Sequence, residues 1–174
     1  MSEQVSIGLF NPKTPVNVDG IMRASGCYRV DQVFYTGNRY NLAKNAERQY
    51  GVDTKKAAQT IPLKGVESLL DIVPVNAKIV CVDLVVGATP LPIFVHPENA
   101  FYVFGPEDAS IPQDIIDAAD SVVYVPTVGC MNLAASVNVL LYDRLAKSSL
   151  TGDDELIKQS RDNNNRTKVK HWLK

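Results

Sequence analysis

The chain has 174 residues, of which 45% are hydrophobic and 21% charged, with a formal net charge of −1. That length supports one well-buried domain rather than two, and the near-neutral balance excludes an overwhelmingly basic nucleic-acid coat while leaving room for a local basic face. Three cysteines without CxxC spacing and two histidines, His96 and His171, give no metal-ligand pattern, and no stretch approaches the ~20 apolar residues of a membrane helix.

Residues 5–10 form a β-rich run closed by Asn11-Pro12 and read as the opening strand. Asn17 then stands as a helix N-cap, before a segment in which Ile21, Ala24 and Cys27 or Tyr28 recur at helical spacing. Residues 32–35 are the second strand, ended by Gly37-Asn38. Residues 39–60 carry Arg39, Lys44, Arg48, Lys55 and Lys56 and read as a solvated basic helix and loop. A short strand at 61–64 and a helix at 66–72 precede Pro74.

Residues 78–86, KIVCVDLVV, are apolar apart from Lys78 and Asp83, the signature of a strand buried on both faces. A Gly/Pro turn at 87–92 follows, then a strand at 100–104, a helix at 113–119, a strand at 122–125 and an apolar helix at 132–146. The alternation predicts an α/β fold, a mostly parallel sheet with helices on both faces, occupying residues 1–150 as one domain.

Residues 151–174 form a polar, basic tail, with Arg161, Arg166, Lys168, Lys170 and Lys174 set around Trp172. This is either a solvated tail or a set of phosphate and base contacts. The N-terminus lacks an export signal, and the scattered cysteines suit a reducing compartment, so a cytoplasmic protein is expected.

In an open parallel sheet, ligands bind outside the carboxyl ends of the strands. Three of the expected strand ends carry Asp83-Leu84 with Gly87, Gly105-Pro106-Glu107, and Val125-Pro126 with Gly129. Glycine there lets backbone groups approach a flat ligand. Neither GxGxxG nor GxxxxGK[ST] occurs, so the phosphate cradle of dinucleotide and P-loop sites is missing. An adenosine without phosphates, read through backbone groups, fits this pattern better.

The segments NPKTPVNVDGIMRASG, FGPEDASIP and VPTVGCMNLAASVNVLLYD resemble, in order, the three motifs of the SpoU/TrmH branch of the SPOUT RNA methyltransferases, over residues 5–147. The similarity is nearest to the minimal members that methylate a ribose 2′-hydroxyl in the tRNA anticodon loop. It implies a C-terminal deep trefoil knot, S-adenosylmethionine bent within the knot, a homodimer, and RNA rather than DNA as partner. By the motif match, Asp83, Leu84, Gly87, Gly105, Val125, Cys130, Asn132 and Leu133 would lie on the cofactor side, and Arg23 and Asn17 on the acceptor side.

The chain departs from the family pattern at Thr127, at Ser110, which stands where a glycine is usual, and at Cys130, which replaces a serine in a shortened loop. Arg23 is a poor base, since a guanidinium pKa exceeds about 12; its expected role is to anchor a phosphate and stabilise a developing alkoxide. The bland alternative is a surface arginine paired with an acid. Asn17 is either a cap or an amide that positions Arg23, and Glu107 reads first as a carboxylate near a helix N-terminus. Two rivals stand beside a ribose methyltransferase: a knotted RNA-binding protein without methyl transfer, and a base-methylating enzyme.

Overall fold

The computed structural model describes residues 3–49, 61–150, 152–160 and 167–169. The basic positions Lys55 and Lys56, and most of the basic end of the tail, lie outside these residues. Seven strands form one sheet: β1 (Val5–Leu9), β2 (Gln32–Tyr35), β3 (Leu63–Gly65), β4 (Lys78–Val82), β5 (Thr89–Pro90), β6 (Ala100–Phe104) and β7 (Ser121–Tyr124). They lie in the order β3-β2-β1-β6-β4-β7-β5, and every pairing is parallel. The expected parallel α/β sheet is what forms.

The strands at the centre are apolar because both of their faces are covered. β1 and β6 are buried at every position. Val5, Ile7 and Leu9 join Ala100, Tyr102 and Phe104 in a core beneath α1 (Pro15–Cys27) and α4 (Leu133–Ala146). On the opposite face, Phe101, Val103 and Cys81 pack with Phe34, Leu69 and Ile115 of α3 (Gln113–Ala118). Gly8 serves this second face: a Cβ there would meet the Phe101 ring at 2.8 Å. Burial pushes the Cys81 thiol up to about 12, which leaves it unreactive.

Local chemistry sets the element ends. Pro15 opens α1, where its missing N–H costs nothing. Thr14 is the N-cap and makes no side-chain capping bond, so Asn17 sits inside the first turn rather than capping the helix as expected. Asn132 does cap α4, accepting the Ala135 N–H at 2.7 Å. α1 and α4 approach closely at Gly20, where a Cβ would lie 3.1 Å from the Ala134 Cβ. β4 stops at Val82 rather than residue 86, because the Asp83 carboxylate takes the next N–H, that of Leu84, at 2.7 Å. The expected helix at 66–72 is a single 3₁₀ turn at Leu70–Ile72. The basic segment begins as α2 (Arg39–Gln49), and the tail contains α5 (Asp154–Ser160).

The far end of α4 is pinned by a polar network. Arg144 donates to the Tyr102 hydroxyl at 3.1 Å, so that hydroxyl donates in turn to His96 Nδ1 at 2.7 Å. His96 Nε2 then donates to Asp143 at 2.9 Å. Burial pushes the Tyr102 hydroxyl up to about 12, so it stays protonated. This network keeps α4 on the sheet at the end remote from the loops described next.

Candidate active site

The carboxyl ends of β4, β6 and β7 and the first turn of α4 enclose a cavity of about 460 Å³. Val82, Phe104, Tyr124, Val125 and Leu133 give it apolar wall, and Ser110, Thr127 and Ser136 give it polar wall. Its charged lining is wholly acidic: Asp83, Glu107 and Asp108 line it, and no lysine, arginine or histidine does. The volume is that of a small-molecule site. Acidic groups beside mixed apolar and polar walls suit a nucleoside without phosphate better than a phosphorylated one.

Asp83 shapes this cavity from within the protein. One carboxylate oxygen accepts the Leu84 N–H, and the other accepts the Ile111 N–H at 2.8 Å, drawing the loop after β6 back onto β4. Gly105 is needed by the same fold-back. A Cβ there would lie 3.1 Å from the Ile111 nitrogen and 3.3 Å from the Ser110 carbonyl carbon. The glycine therefore serves the approach of the loop's own backbone, where the sequence suggested the approach of a ligand. Gly87 and Gly129 hold φ of +93° and +149°, a region that favours glycine.

The loop reaches from the cavity to the helix beside it. Glu107 accepts N–H groups of Lys13 at 2.9 Å and Thr14 at 3.0 Å, and the Asn17 side-chain amide at 3.1 Å. Glu107 thus caps α1 in place of the missing Thr14 bond. Partial burial opposes its ionised form, but the Asn17 amide and the two backbone donors outweigh it and hold the carboxyl below the usual range. Next to it, Asp108 takes both prongs of the Arg39 guanidinium, at 3.0 and 2.7 Å. That bond holds the Asp108 carboxyl low and the Arg39 guanidinium high.

Asp83, Leu84, Gly105, Val125, Cys130 and Leu133 line the cavity; Gly87 and Asn132 do not. Asn17 lies at the cavity's edge through Glu107, while Arg23 is exposed farther along α1, with no hydrogen bond or ion pair among the described residues. Cys27 and Cys130 are exposed, and Cys81 is buried. The sequence reading missed Asp108, Tyr124 and Ser136 as lining residues. Asp108 carried no local signal, since its partner Arg39 is 69 positions away. Among the described residues no group of His, Cys, Asp and Glu is placed to hold a metal ion, and no helix is long and apolar enough to cross a membrane.

The sequence profile of the SpoU rRNA methylase family matches residues 4–142. The chain belongs to the SpoU methylase family. No curated protein sequence matches it as a relative. Solved SpoU structures share its fold at low identity. The SpoU methyltransferase AviRb from Streptomyces viridochromogenes, solved with AdoMet, aligns with a TM-score of 0.68 at 17% identity over 84% of this chain. This chain spans little more than half of AviRb, covering 58% of it. The A. aeolicus TrmH/SpoU tRNA modifying enzyme aligns at 0.68 and 19% identity, over 91% of this chain and 85% of the other. A structure described as giving insights into the 2-OH methylation of C/U34 on tRNA aligns at 0.65 and 18%, over 84% of this chain and 91% of the other.

Proposed function

We propose that the protein transfers a methyl group from S-adenosylmethionine to a ribose 2′-oxygen of RNA, with tRNA as the acceptor class. The observation that carries this reading is the Asn17–Glu107 bond, which ties the helix bearing Arg23 to the rim of the acid-lined cavity. The tRNA acceptor class is taken from two structural neighbours whose descriptions concern tRNA.

S-adenosylmethionine, when bound, supplies an electrophilic methyl on a sulfonium centre. Leu84, Val125 and Leu133 would flank the adenosine, the carboxylates would complement its positive charge, and Cys130 would stand at the wall where the family has serine. Gly87 and Asn132 would act through the loop and helix that they start. Arg23, exposed and without an ion pair among the described residues, would bind the phosphate beside the acceptor ribose and stabilise the alkoxide as the 2′-proton leaves. Asn17 and Glu107 would hold α1 at the depth this requires.

The assembly belongs to the same proposal. The segment from β7 into α4 would thread the loop after β6 as a trefoil knot. A second copy would cover Val16 of α1 and Tyr142 and Leu145 of α4, which are 67%, 61% and 37% exposed. Three unpaired cysteines support a cytoplasmic setting.

Calorimetry with S-adenosylmethionine, then mass spectrometry of nuclease-digested tRNA after reaction, tests the function. Binding plus 2′-O-methylnucleosides is expected. The exposed Cys130 in its shortened loop gives the non-transferring rival its one foothold, and failure to bind at millimolar cofactor would favour it. Base-methylated products would move the acceptor from sugar to base.

A further inference from the structure

The contact between Asp108, at the rim of the cavity, and two cations outside it joins three separate segments. Arg39 at the start of α2 meets Asp108 with both guanidinium prongs, and Lys13, just before α1, brings its Nζ to 3.6 Å of the same carboxylate. Two cations thus share one carboxylate, with the Glu107 carboxylate next to them. The paired oxygens of a carboxylate present nearly the same face to a guanidinium as two oxygens of a phosphodiester. The pair is also partly solvated, with side chains 28% and 50% exposed, so it is weakly held and open to a competing anion.

Its position follows from Glu107. That residue fixes the backbone of Lys13 and Thr14 and the side chain of Asn17, so the Asp108 contact lies on the α1 side of the cavity, where Arg23 is carried. We propose that Lys13 and Arg39 form a binding site for one phosphate of the acceptor RNA, and that Asp108 occupies this site until the RNA displaces it. This rests on the RNA-acceptor reading above and adds to it the residues that grip the strand. Asp108 thereby screens the site from weak anions, and only a strand placed to offer its phosphate there, with other contacts to help, takes the guanidinium from it. The exchange balances: one anionic partner leaves Arg39 and another arrives, with no change in protonation.

Binding of unfractionated tRNA, measured at several salt concentrations, tests the proposal, with circular dichroism and thermal melting verifying that each variant is folded. Asp108→Asn should bind tRNA roughly threefold to fivefold tighter. Arg39→Ala should bind more weakly and lower the slope of log affinity against log salt by about one. In the Arg39→Ala background, Asp108→Asn should gain less than about twofold, because the site it unmasks is gone. Arg39→Lys keeps the charge and loses the fork; it should retain the slope and bind more weakly, which covers the case in which Arg39→Ala does not fold. An equal gain from Asp108→Asn with and without Arg39 would show general charge repulsion and overturn the proposal, as would an unchanged slope in Arg39→Ala. If the wild-type protein takes the cofactor but no RNA, the proposed function fails first; if it methylates RNA while the cycle shows no coupling, the phosphate site alone is refuted.

Discussion

Asp83 and Ile111 are 28 positions apart, and the carboxylate of one accepts the backbone N–H of the other at 2.8 Å. This bond closes the loop after β6 over the end of β4, so Asp83 acts on the cavity by shaping its wall. Asp83→Ala leaves both the Ile111 and the Leu84 donors without their charged acceptor. Hydrogen bonds to a charged group contribute about 1.5–3 kcal/mol, and the loss should appear both in unfolding and in a roughly tenfold weaker affinity for S-adenosylmethionine. Denaturant titration and calorimetry measure the two. Unchanged values in both would show that the loop is held by other means.

Gly105→Ala tests the same loop from its other side. The added Cβ would meet backbone at Ile111 and Ser110, which cannot rotate away as a side-chain tip could. A cost of about 1–3 kcal/mol is expected, with slower or weaker cofactor binding as the loop lifts. Gly26→Ala is the control, since a Cβ there meets nothing within 4 Å. Equal stabilities for the two alanine variants would refute the close-approach argument.

How much of this was legible beforehand depends on the reach of each interaction. The strand end at Phe104 follows from an apolar run that stops at Gly105, a local signal, whereas the apolar run over 78–86 hid the stop at Val82, which Asp83 marks by accepting the Leu84 N–H. The Asn132 cap was equally local. Asn17 misled because its real partner, Glu107, is 90 positions distant, and because Pro15 already starts the helix. Residues 66–72 have the apolar content of a helix, yet Leu69 is spent filling the space over Gly8, and Pro74 halts any continuation. The Asp108–Arg39 pair had no sequence signature at all, since only the folded sheet brings α2 to the loop after β6. Arg23 was singled out by its motif alone, since periodicity could not tell it from any exposed helical arginine.

The pH response of Glu107 has a definite sign. Folding holds its carboxyl below the ordinary 4.5, so over that window the unfolded chain binds more protons than the folded one. Its stabilising contribution is fully present above 4.5 and is lost as pH falls through the folded value. Glu107→Gln should therefore be less stable than wild type near pH 7, with a gap that narrows below 4.5. Urea unfolding from about pH 7 to about pH 3 follows the gap. A gap that stays constant would mean that the charge of Glu107 does not cap α1.

His96 gives a second, separable pH effect in the network at the far end of α4. Burial lowers its pKa below the ordinary 6.5; the Asp143 bond works in the opposite direction without cancelling the shift, and Arg144 and Lys147 add to the lowering. A group lowered in this way resists protonation when folded, so its contribution is complete above 6.5 and declines as pH drops through the folded value. His96→Gln can still accept from Tyr102 and donate to Asp143, yet it does not titrate. The variant should lose the part of the stability slope just below 6.5 while wild type keeps it. Identical slopes would place the titration elsewhere.

The proposed chemistry turns on Arg23. It lies exposed on α1, and among the described residues it makes no hydrogen bond or ion pair, so its removal should leave the fold and the cavity intact. Under the proposed role it contributes only when the 2′-oxygen bears negative charge. Arg23→Ala should then lower kcat on tRNA by about a hundredfold or more, with the affinity for S-adenosylmethionine within twofold of wild type. Arg23→Lys, which keeps charge but loses the two-pronged grip, should fall between the two. Single-turnover methylation with labelled cofactor, beside calorimetry, separates the terms. A rate within a few-fold of wild type in Arg23→Ala would remove Arg23 from the reaction and send the search for the acceptor-side cation to other residues.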